Sequence, residues 1–165
     1  MDEGVVPIDP GFEARVRTML GRHRFLTLLG AEVTAVAPGY CRIEAPFDDR
    51  FTQHNGFLHA GMQTTLVDSA GGGAAATLVA PDVDVLAVEF KVNFVRPAVG
   101  ERIVAEARVV RPGRRIVVCD LDVHMVAGGV RRRTVKGLQT VILVHPGASG
   151  GAGPRDQTPA TDPPA

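Results

Sequence analysis

The sequence predicts an α+β domain in which a six-stranded, largely antiparallel sheet wraps around one long central helix. The helix is predicted at about residues 58–80, where an apolar residue recurs at every fourth position and forms one continuous row. Three consecutive glycines, Gly71 to Gly73, lie inside it although each costs about 1 kcal/mol relative to alanine. They indicate that the sheet packs very close to the helix. The row consists of Leu58, Met62, Leu66, Ala70, Ala74 and Leu78.

The predicted strands flank this helix in chain order. Residues 31–36 and 40–46 alternate between apolar and polar residues around a Pro38-Gly39 turn, which is typical of a β-hairpin. Four more alternating segments follow the helix with no second helix between them. Short turns such as Pro112-Gly113 separate these segments, so we expect antiparallel pairing. The four segments are residues 85–95, 101–110, 115–126 and 130–144.

The rest of the chain is predicted to be one short helix and two extensions. Residues 1–10 are expected to form a flexible N-terminal arm, and a short amphipathic helix follows from Gly11. The last twenty residues are mostly Gly, Ala, Pro, Ser, Thr and Asp, which cannot bury enough apolar surface to offset their ordering entropy. We therefore expect one domain at residues 11–145 and a disordered tail at residues 146–165.

Composition and length exclude several classes of protein. A chain of 165 residues with 45% hydrophobic residues is large enough for one domain with a substantial core. Polar residues interrupt the long helix, so no membrane span is expected, and the acidic start Met1-Asp2-Glu3-Gly4 does not resemble a basic secretory leader. Cys41 and Cys119 lack metal-ligand spacing and are expected to be reduced. The sequence therefore predicts a cytoplasmic protein with neither a metal nor a cofactor.

Charge is distributed unevenly along the chain. The formal net charge is zero, but residues 1–95 carry −5 and residues 96–136 carry +6. Two interpretations remain open: arginines on solvated outer strand faces, or a site for phosphates. Arg131 to Arg133 are expected to form a solvated hairpin end. Nucleic acid is not expected as a partner because the net charge is zero and Tyr40 is the single tyrosine, with no tryptophan for base stacking.

A candidate site lies where the long helix begins. Asp68 is the only acid in that helix, and a buried carboxylate must be paired or functional because burying an unpaired charge is costly. The run HNGFLHAGMQTTLVDSAGG, residues 54–72, resembles the signature of the hotdog-fold acyl-CoA thioesterases of the phenylacetate-type family. Gly56, His59, Gly61 and Asp68 fall on the spacing of that signature, and Ala60 replaces its middle glycine.

The resemblance implies a hotdog fold and the hydrolysis of an acyl-CoA thioester. Such hydrolysis needs a carboxylate that attacks or activates water, and donors aimed at the oxygen where negative charge develops. By resemblance, Asp68 is the base or nucleophile and the backbone N–H of Ala60 is the main oxyanion donor. The segment from His59 to Gly61 would stand at the helix N-terminus, where free N–H groups and the helix dipole favour negative charge. The family's hydroxyl residue on the following strand is replaced here by Ala87.

The resemblance also assigns roles to the loop before the helix. The family's side-chain amide lies six residues before the histidine, which reaches Gln53, and Asn55 is the second candidate to polarise the thioester carbonyl. His59 would orient the loop rather than titrate.

The geometry of a helix predicts that the site is shared between subunits. His59 and Asp68 are nine positions apart, which corresponds to about 180° of rotation and about 13.5 Å of rise. One chain cannot bring both residues to one carbonyl, whereas a two-fold dimer can. The resemblance likewise implies a homodimer or homotetramer with shared sites.

The resemblance further places the CoA moiety and leaves a rival function open. Arg96, Gly113, Arg114 and Arg115 match the family's positions for nucleotide and pyrophosphate contacts. The rival is a non-catalytic acyl-CoA-binding or sensing protein of the same fold, favoured by the two alanine replacements. A hotdog hydratase or dehydratase is less expected, because the His-and-acid arrangements of those enzymes are absent.

Overall fold

The computed structural model of the chain describes residues 7–147. Residues 1–6 of the predicted arm and residues 148–165 of the predicted tail lie outside the described part, so both predictions stay predictions. Three helices, a short 3₁₀ turn at Asp49–Phe51 and six strands make up the described chain. The helices are α1 (Phe12–Gly21), α2 (Arg24–Leu28) and α3 (Ala60–Ala76), and the strands are β1 (Glu32–Ala37), β2 (Tyr40–Pro46), β3 (Asp84–Phe94), β4 (Arg102–Arg111), β5 (Ile116–Ala127) and β6 (Val130–Val144).

The six strands form one sheet in the order β1-β2-β4-β5-β6-β3, and every neighbouring pair is antiparallel. Helix α3 packs against the inner face of this sheet and contacts all six strands. The architecture predicted from the sequence, an antiparallel six-stranded sheet around one central helix, is therefore confirmed. The order leaves β1 and β3 as the two edges.

The central helix is shorter than the sequence predicts. It begins at Ala60 instead of Leu58, because the two preceding N–H groups bond elsewhere. The N–H of Leu58 donates to Ala98 O at 3.0 Å, and the N–H of His59 donates to Phe51 O at 2.9 Å. These tertiary hydrogen bonds hold both residues in extended backbone. At the other end, the hydroxyl of Thr77 donates to Ala74 O at 2.7 Å and occupies a carbonyl of the last turn. The apolar row continues past both ends, but the helix does not.

Two of the three consecutive glycines are required by close packing. A Cβ atom at Gly71 would lie 1.6 Å from the Oε1 atom of Gln139, and one at Gly73 would lie 2.8 Å from the Sγ atom of Cys41. A Cβ atom at Gly72 would meet nothing within 4 Å, since that residue borders an open cavity. Close packing of the sheet against the helix, the predicted reason for the glycines, therefore applies to Gly71 and Gly73 but not to Gly72.

The arginine-rich half of the chain lies largely on the solvated outer face of the sheet. Arg131 pairs with Glu106, Arg133 pairs with Asp122, and Lys136 bridges two aspartates. The arginines of these pairs are exposed, so each pair contributes little to stability. This arrangement agrees with the first interpretation of the positive segment, including the expected solvated hairpin end at Arg131 to Arg133.

Strand β3 is an unusually exposed edge. It is 11 residues long and most of its side chains are exposed on both faces. Leu86 and Val88 are 57% and 58% exposed, and Phe90 and Phe94 are also exposed. A long apolar edge strand presents unpaired backbone groups that can pair with another chain.

Both cysteines are buried and unlinked, as the sequence predicts. Burial raises the pKa of Cys41 and of Cys119 to about 12. Among residues 7–147, no helix is long and apolar enough to cross a membrane.

Candidate active site

The loop before α3 is a closed turn. The N–H of Gln53 donates to Phe57 O at 2.8 Å, and the N–H of Gly56 donates back to Gln53 O at 2.9 Å. Gly56 has φ of +78°, a left-handed conformation that glycine adopts without steric cost. The turn brings the chain to Leu58, which pairs with Thr52 in an isolated bridge. The loop is thereby held in place where the helix begins.

His59 is the N-cap of the central helix. Its Nδ1 atom accepts a hydrogen bond of 2.9 Å from the N–H of Gly61. A neutral ring that accepts at Nδ1 carries its proton on Nε2. This contact supports the orienting role predicted for His59.

Ala60 is the first residue of α3 and is exposed. Within residues 7–147, no acceptor pairs with its N–H. A free N–H at a helix N-terminus points along the positive end of the helix dipole and favours a negatively charged oxygen. The N–H of Ala60 is therefore available as a donor, and its role as the oxyanion donor stays a prediction.

The two candidate amides are engaged differently. The Oε1 atom of Gln53 accepts a hydrogen bond from the N–H of Asn55, which leaves the amide nitrogen of Gln53 available as a donor. The amide nitrogen of Asn55 lies 3.1 Å from Nε2 of His54. Because polarising a carbonyl requires a donor, this arrangement favours Gln53 over Asn55.

Asp68 is half-buried on α3, and its surroundings act on its charge. Burial raises the pKa of Asp68, and the nearby His23 partly opposes that effect. The Nε2 atom of Gln139 donates to Oδ1 of Asp68 at 2.6 Å. Sequence reasoning missed both Gln139 and His23. Gln139 could have been found from alternation along β6, because it shares the inward face with Val135 and Val141.

Asp68 opens onto a cavity of about 490 Å³ between α3 and the first two helices. The cavity wall is mainly apolar, with two hydroxyl residues of α3 beside the acid. Ala87, the position at which the resemblance predicts a hydroxyl residue, also lines it. Gly72 leaves space at the floor of the cavity because it has no side chain. The lining includes Met19, Leu20, His23, Arg24, Phe25, Thr65 and Ser69.

The loop and the acid lie apart within one chain. Ala60 and Asp68 are eight residues apart on α3, which corresponds to about 12 Å of rise. The cavity at Asp68 is not lined by any residue of the loop at 53–60. A single subunit therefore does not bring the N–H of Ala60 and the carboxylate of Asp68 close together.

The four predicted CoA-binding residues fall into two groups. Arg96 is exposed beyond the end of β3, where its Nη1 atom donates to Arg133 O at 3.1 Å. Gly113, Arg114 and Arg115 lie in the turn between β4 and β5, since β5 begins only at Ile116. Arg96 lies beside Arg133, which pairs with His124, so the two groups are about nine residues of strand apart, roughly 30 Å. One subunit does not bring them together.

The sheet, its central helix and the capped helix N-terminus define a hotdog-fold protein. A crystal structure of a thioesterase family protein from Silicibacter pomeroyi is similar with a TM-score of 0.80 and 38% identity, over 82% of this chain and 99% of that one. The PaaI protein of E. coli shares the fold, with a TM-score of 0.71 and 15% identity over 81% of this chain and 93% of that one.

Sequence comparison then identifies the family. Residues 55–130 match the model of the thioesterase superfamily. A "Putative esterase" from Halobacterium salinarum is 31% identical over 115 residues, which cover 67% of this chain and 76% of that relative. The chain therefore belongs to the thioesterase superfamily and is an enzyme that hydrolyses thioesters.

Proposed function

We propose that the protein hydrolyses an acyl-CoA or aryl-acyl-CoA thioester to the free acid and CoA. The observation that carries this proposal is the half-buried carboxylate of Asp68, held by Gln139 at the edge of a mainly apolar cavity. Apolar residues such as Met19, Leu20 and Phe25 suit an acyl chain or an aromatic ring. The carboxylate beside them suits the attack of water on the thioester carbon.

The chemistry divides between two parts of the chain. Asp68 takes a proton from water while the water oxygen bonds to the thioester carbon. The carbonyl oxygen becomes an oxyanion, which accepts hydrogen bonds from the N–H of Ala60 and the amide nitrogen of Gln53. The carbon–sulfur bond then breaks, and the proton held by Asp68 passes to the CoA thiolate. A raised pKa brings Asp68 closer to the working pH and makes it a better proton acceptor.

We further propose that this site forms between two subunits of a homodimer, or of a homotetramer built from such dimers. Ala60 and Asp68 cannot reach one carbonyl within a chain, so the donor and the acid must come from different subunits. The exposed apolar edge of β3 supports this assembly, because antiparallel pairing of two such edges would cover Leu86 and Val88.

Ala87 is the replacement on which the rival prediction, acyl-CoA binding without hydrolysis, was based. It lines the cavity of Asp68 but carries no hydroxyl to hold a water. Thr65 and Ser69 line the same cavity, and we propose that one of these hydroxyls holds the water instead. The hydroxyl of Thr65 donates to Gly61 O at 2.9 Å, and its oxygen keeps acceptor capacity.

Release of free thiol from a panel of aryl-acetyl, short, medium and long acyl-CoAs tests the proposal. We expect turnover by the wild-type chain and a fall in kcat of about two orders of magnitude or more in Asp68→Asn, the scale expected for removal of a general base. The matched control is Asp82→Asn, an exposed aspartate outside the cavity, which should keep wild-type kcat. Wild-type turnover in Asp68→Asn would refute the role of this acid. Binding of acyl-CoA without turnover by the wild-type chain would show that acyl-CoA is a ligand of this thioesterase and not its substrate.

A further inference from the structure

Gln139 is a buried polar residue that faces the central helix. It is 1% exposed on β6, and its Nε2 atom donates to Oδ1 of Asp68 at 2.6 Å. The same nitrogen lies 3.4 Å from the backbone oxygen of Asp68. Both partners are acceptors when the carboxylate is ionised, so the amide nitrogen must face the acid.

The helix is shaped to admit this side chain. A Cβ atom at position 71 would lie 1.6 Å from Oε1 of Gln139 and 2.8 Å from its Cδ, so any side chain there would displace the amide of Gln139. Gly71 is three residues after Asp68 and therefore lies one helical turn away on the neighbouring surface. The hydrogen bond to Asp68 consequently depends on a glycine in the middle of a helix.

This arrangement is unfavourable for stability alone. A glycine inside a helix destabilises it relative to alanine. In addition, Oε1 of Gln139 is buried and has no hydrogen-bond partner within residues 7–147, which is unusual for a buried polar atom. An apolar side chain at position 139 would avoid the unpaired oxygen, so the glutamine is better explained by what its nitrogen does.

We propose that Gln139 is a positioning residue that fixes the carboxylate of Asp68 for thioester hydrolysis. This inference depends on the proposed role of Asp68. Gln139 occupies Oδ1, whereas Oδ2 has no donor among the described residues and is not buried. The hydrogen bond therefore sets the rotation of the carboxylate and leaves one oxygen open to water. It also favours the ionised form, which burial disfavours.

Two variants separate positioning from packing. Gln139→Met keeps the length of the side chain and removes the donor, and Gln139→Glu keeps the shape and places a second carboxyl beside Asp68. We expect kcat to fall about 10- to 100-fold in both, within the range that misplacement of a reacting group can cost. KM for acyl-CoA should change less than about threefold, because Gln139 borders the cavity but is only 1% exposed to it.

The pH dependence of kcat/KM distinguishes the two roles, because a residue that only packs in the core would leave it unchanged. The acidic limb of kcat/KM should shift to higher pH in Gln139→Met, since the carboxylate loses its donor. It should shift further in Gln139→Glu, because two carboxyls that share a site disfavour each other's ionisation. The control is Thr134→Val, which removes another buried polar group of β6, one whose hydroxyl donates to Val123 O at 3.5 Å. In this variant, the acidic limb of the kcat/KM profile should lie at the same pH as in the wild type.

A double-variant cycle and an NMR titration keep the inference testable even if the single variants are unstable. In an Asp68→Asn background, Gln139→Met should lower kcat no further, since both changes act through one group. Carboxyl ¹³C chemical shifts should report a higher pKa for Asp68 in whichever Gln139 variant folds. The inference would be overturned if a folded Gln139 variant kept both the wild-type kcat and the wild-type acidic limb of the kcat/KM profile. If Asp68→Asn itself retains turnover, the proposed function fails instead.

Discussion

His59 accepts a 2.9 Å hydrogen bond from the N–H of Gly61, and the N–H of Ala60 between them has no acceptor within residues 7–147. The cap satisfies one of the free donors that every helix N-terminus carries. The same hydrogen bond also fixes the orientation of the peptide unit between His59 and Ala60. Within three consecutive residues, one side chain orients the helix start and one backbone donor stays open.

Ala60→Pro should remove that donor without breaking the helix. Proline is favoured at the first helical position because its ring fixes φ near −65° and no hydrogen bond is lost there. The preceding residue, His59, has ψ of 144°, which is compatible with a following proline. We expect kcat to fall about 10²- to 10³-fold, the scale for loss of one oxyanion donor. Thiol-release kinetics and a thermal melt would measure both effects.

The matched control is Ala60→Gly, which keeps the N–H and restores the residue usual in the resembling family. Its kcat should stay near that of the wild type. Equal kcat in the proline and glycine variants, with both folded, would show that this N–H does not contact the reacting oxygen.

The strands and the existence of the central helix could be predicted from local patterns. Alternation placed all six strands within about one residue of their true ends, and β2 and β6 were placed as observed. The start of the helix was not predictable, because distant partners decide it. Leu58 continues the helical period, but its N–H bonds to Ala98 across 40 positions of the chain.

The site was only partly predictable for the same reason. The motif around His59 is contiguous and could be read from the sequence. The contact between Gln139 and Asp68 joins residues 71 positions apart, and alternation can indicate an inward glutamine but not its partner. The grouping of Arg96 with Arg114 was based on resemblance alone, and the strand directions place them at opposite ends of the sheet.

Asp68→Asn should stabilise the fold at neutral pH. Burial raises the pKa of Asp68 above its ordinary value of 3.8, so the native state binds a proton more tightly than the unfolded state. The ionised acid therefore lowers the free energy of unfolding at pH 7, whereas asparagine can still accept the hydrogen bond of Gln139. We expect a higher Tm for the variant at pH 7. The difference should shrink as pH falls through the raised pKa and vanish below about 3.8.

Thermal unfolding followed by circular dichroism between pH 3 and pH 8 would measure this difference. Asp82→Asn, which changes an exposed acid, should give no comparable pH-dependent gain. A Tm difference for Asp68→Asn that is independent of pH would contradict the expected linkage.

Complementation should show that the site is shared between subunits. Chains with Ala60→Pro and chains with Asp68→Asn should each be inactive alone. After the two are unfolded and refolded together at equal concentration, half of the dimers are mixed, and each mixed dimer has one intact site and one doubly altered site. We therefore expect about a quarter of wild-type activity. Mixed dimers isolated with two affinity tags but without activity would show that each chain builds its own site.

The two cysteines should be unreactive in the folded protein. Cys41 and Cys119 are buried, and burial raises the pKa of each thiol to about 12, so almost no thiolate is present at neutral pH. A thiol reagent such as Ellman's reagent should modify neither residue natively and both in denaturant. Rapid modification of the native protein would show that the core around Gly73 opens.

Arg96 should contact the CoA phosphates, and Arg114 should not. Arg96 lies at the same end of the sheet as the oxyanion donor, because Ala98 accepts the N–H of Leu58 at 3.0 Å just before α3 begins. Arg114 lies in the turn at the far end. A charge-assisted contact from an exposed arginine contributes about 1 to 3 kcal/mol, so Arg96→Ala should raise KM for acyl-CoA roughly tenfold with little change in kcat. Arg114→Ala and Arg115→Ala serve as controls and should keep the wild-type KM.

An acyl-pantetheine substrate makes this prediction specific to phosphate. It lacks the nucleotide phosphates, so Arg96→Ala and the wild type should have similar KM values for it. The difference on acyl-CoA should also shrink at high salt, because salt screens an exposed charge pair. A penalty that persists on acyl-pantetheine would mean that Arg96 acts through its hydrogen bond to Arg133 O on the local backbone. A higher KM in Arg114→Ala alone would instead place the phosphates at the turn between β4 and β5.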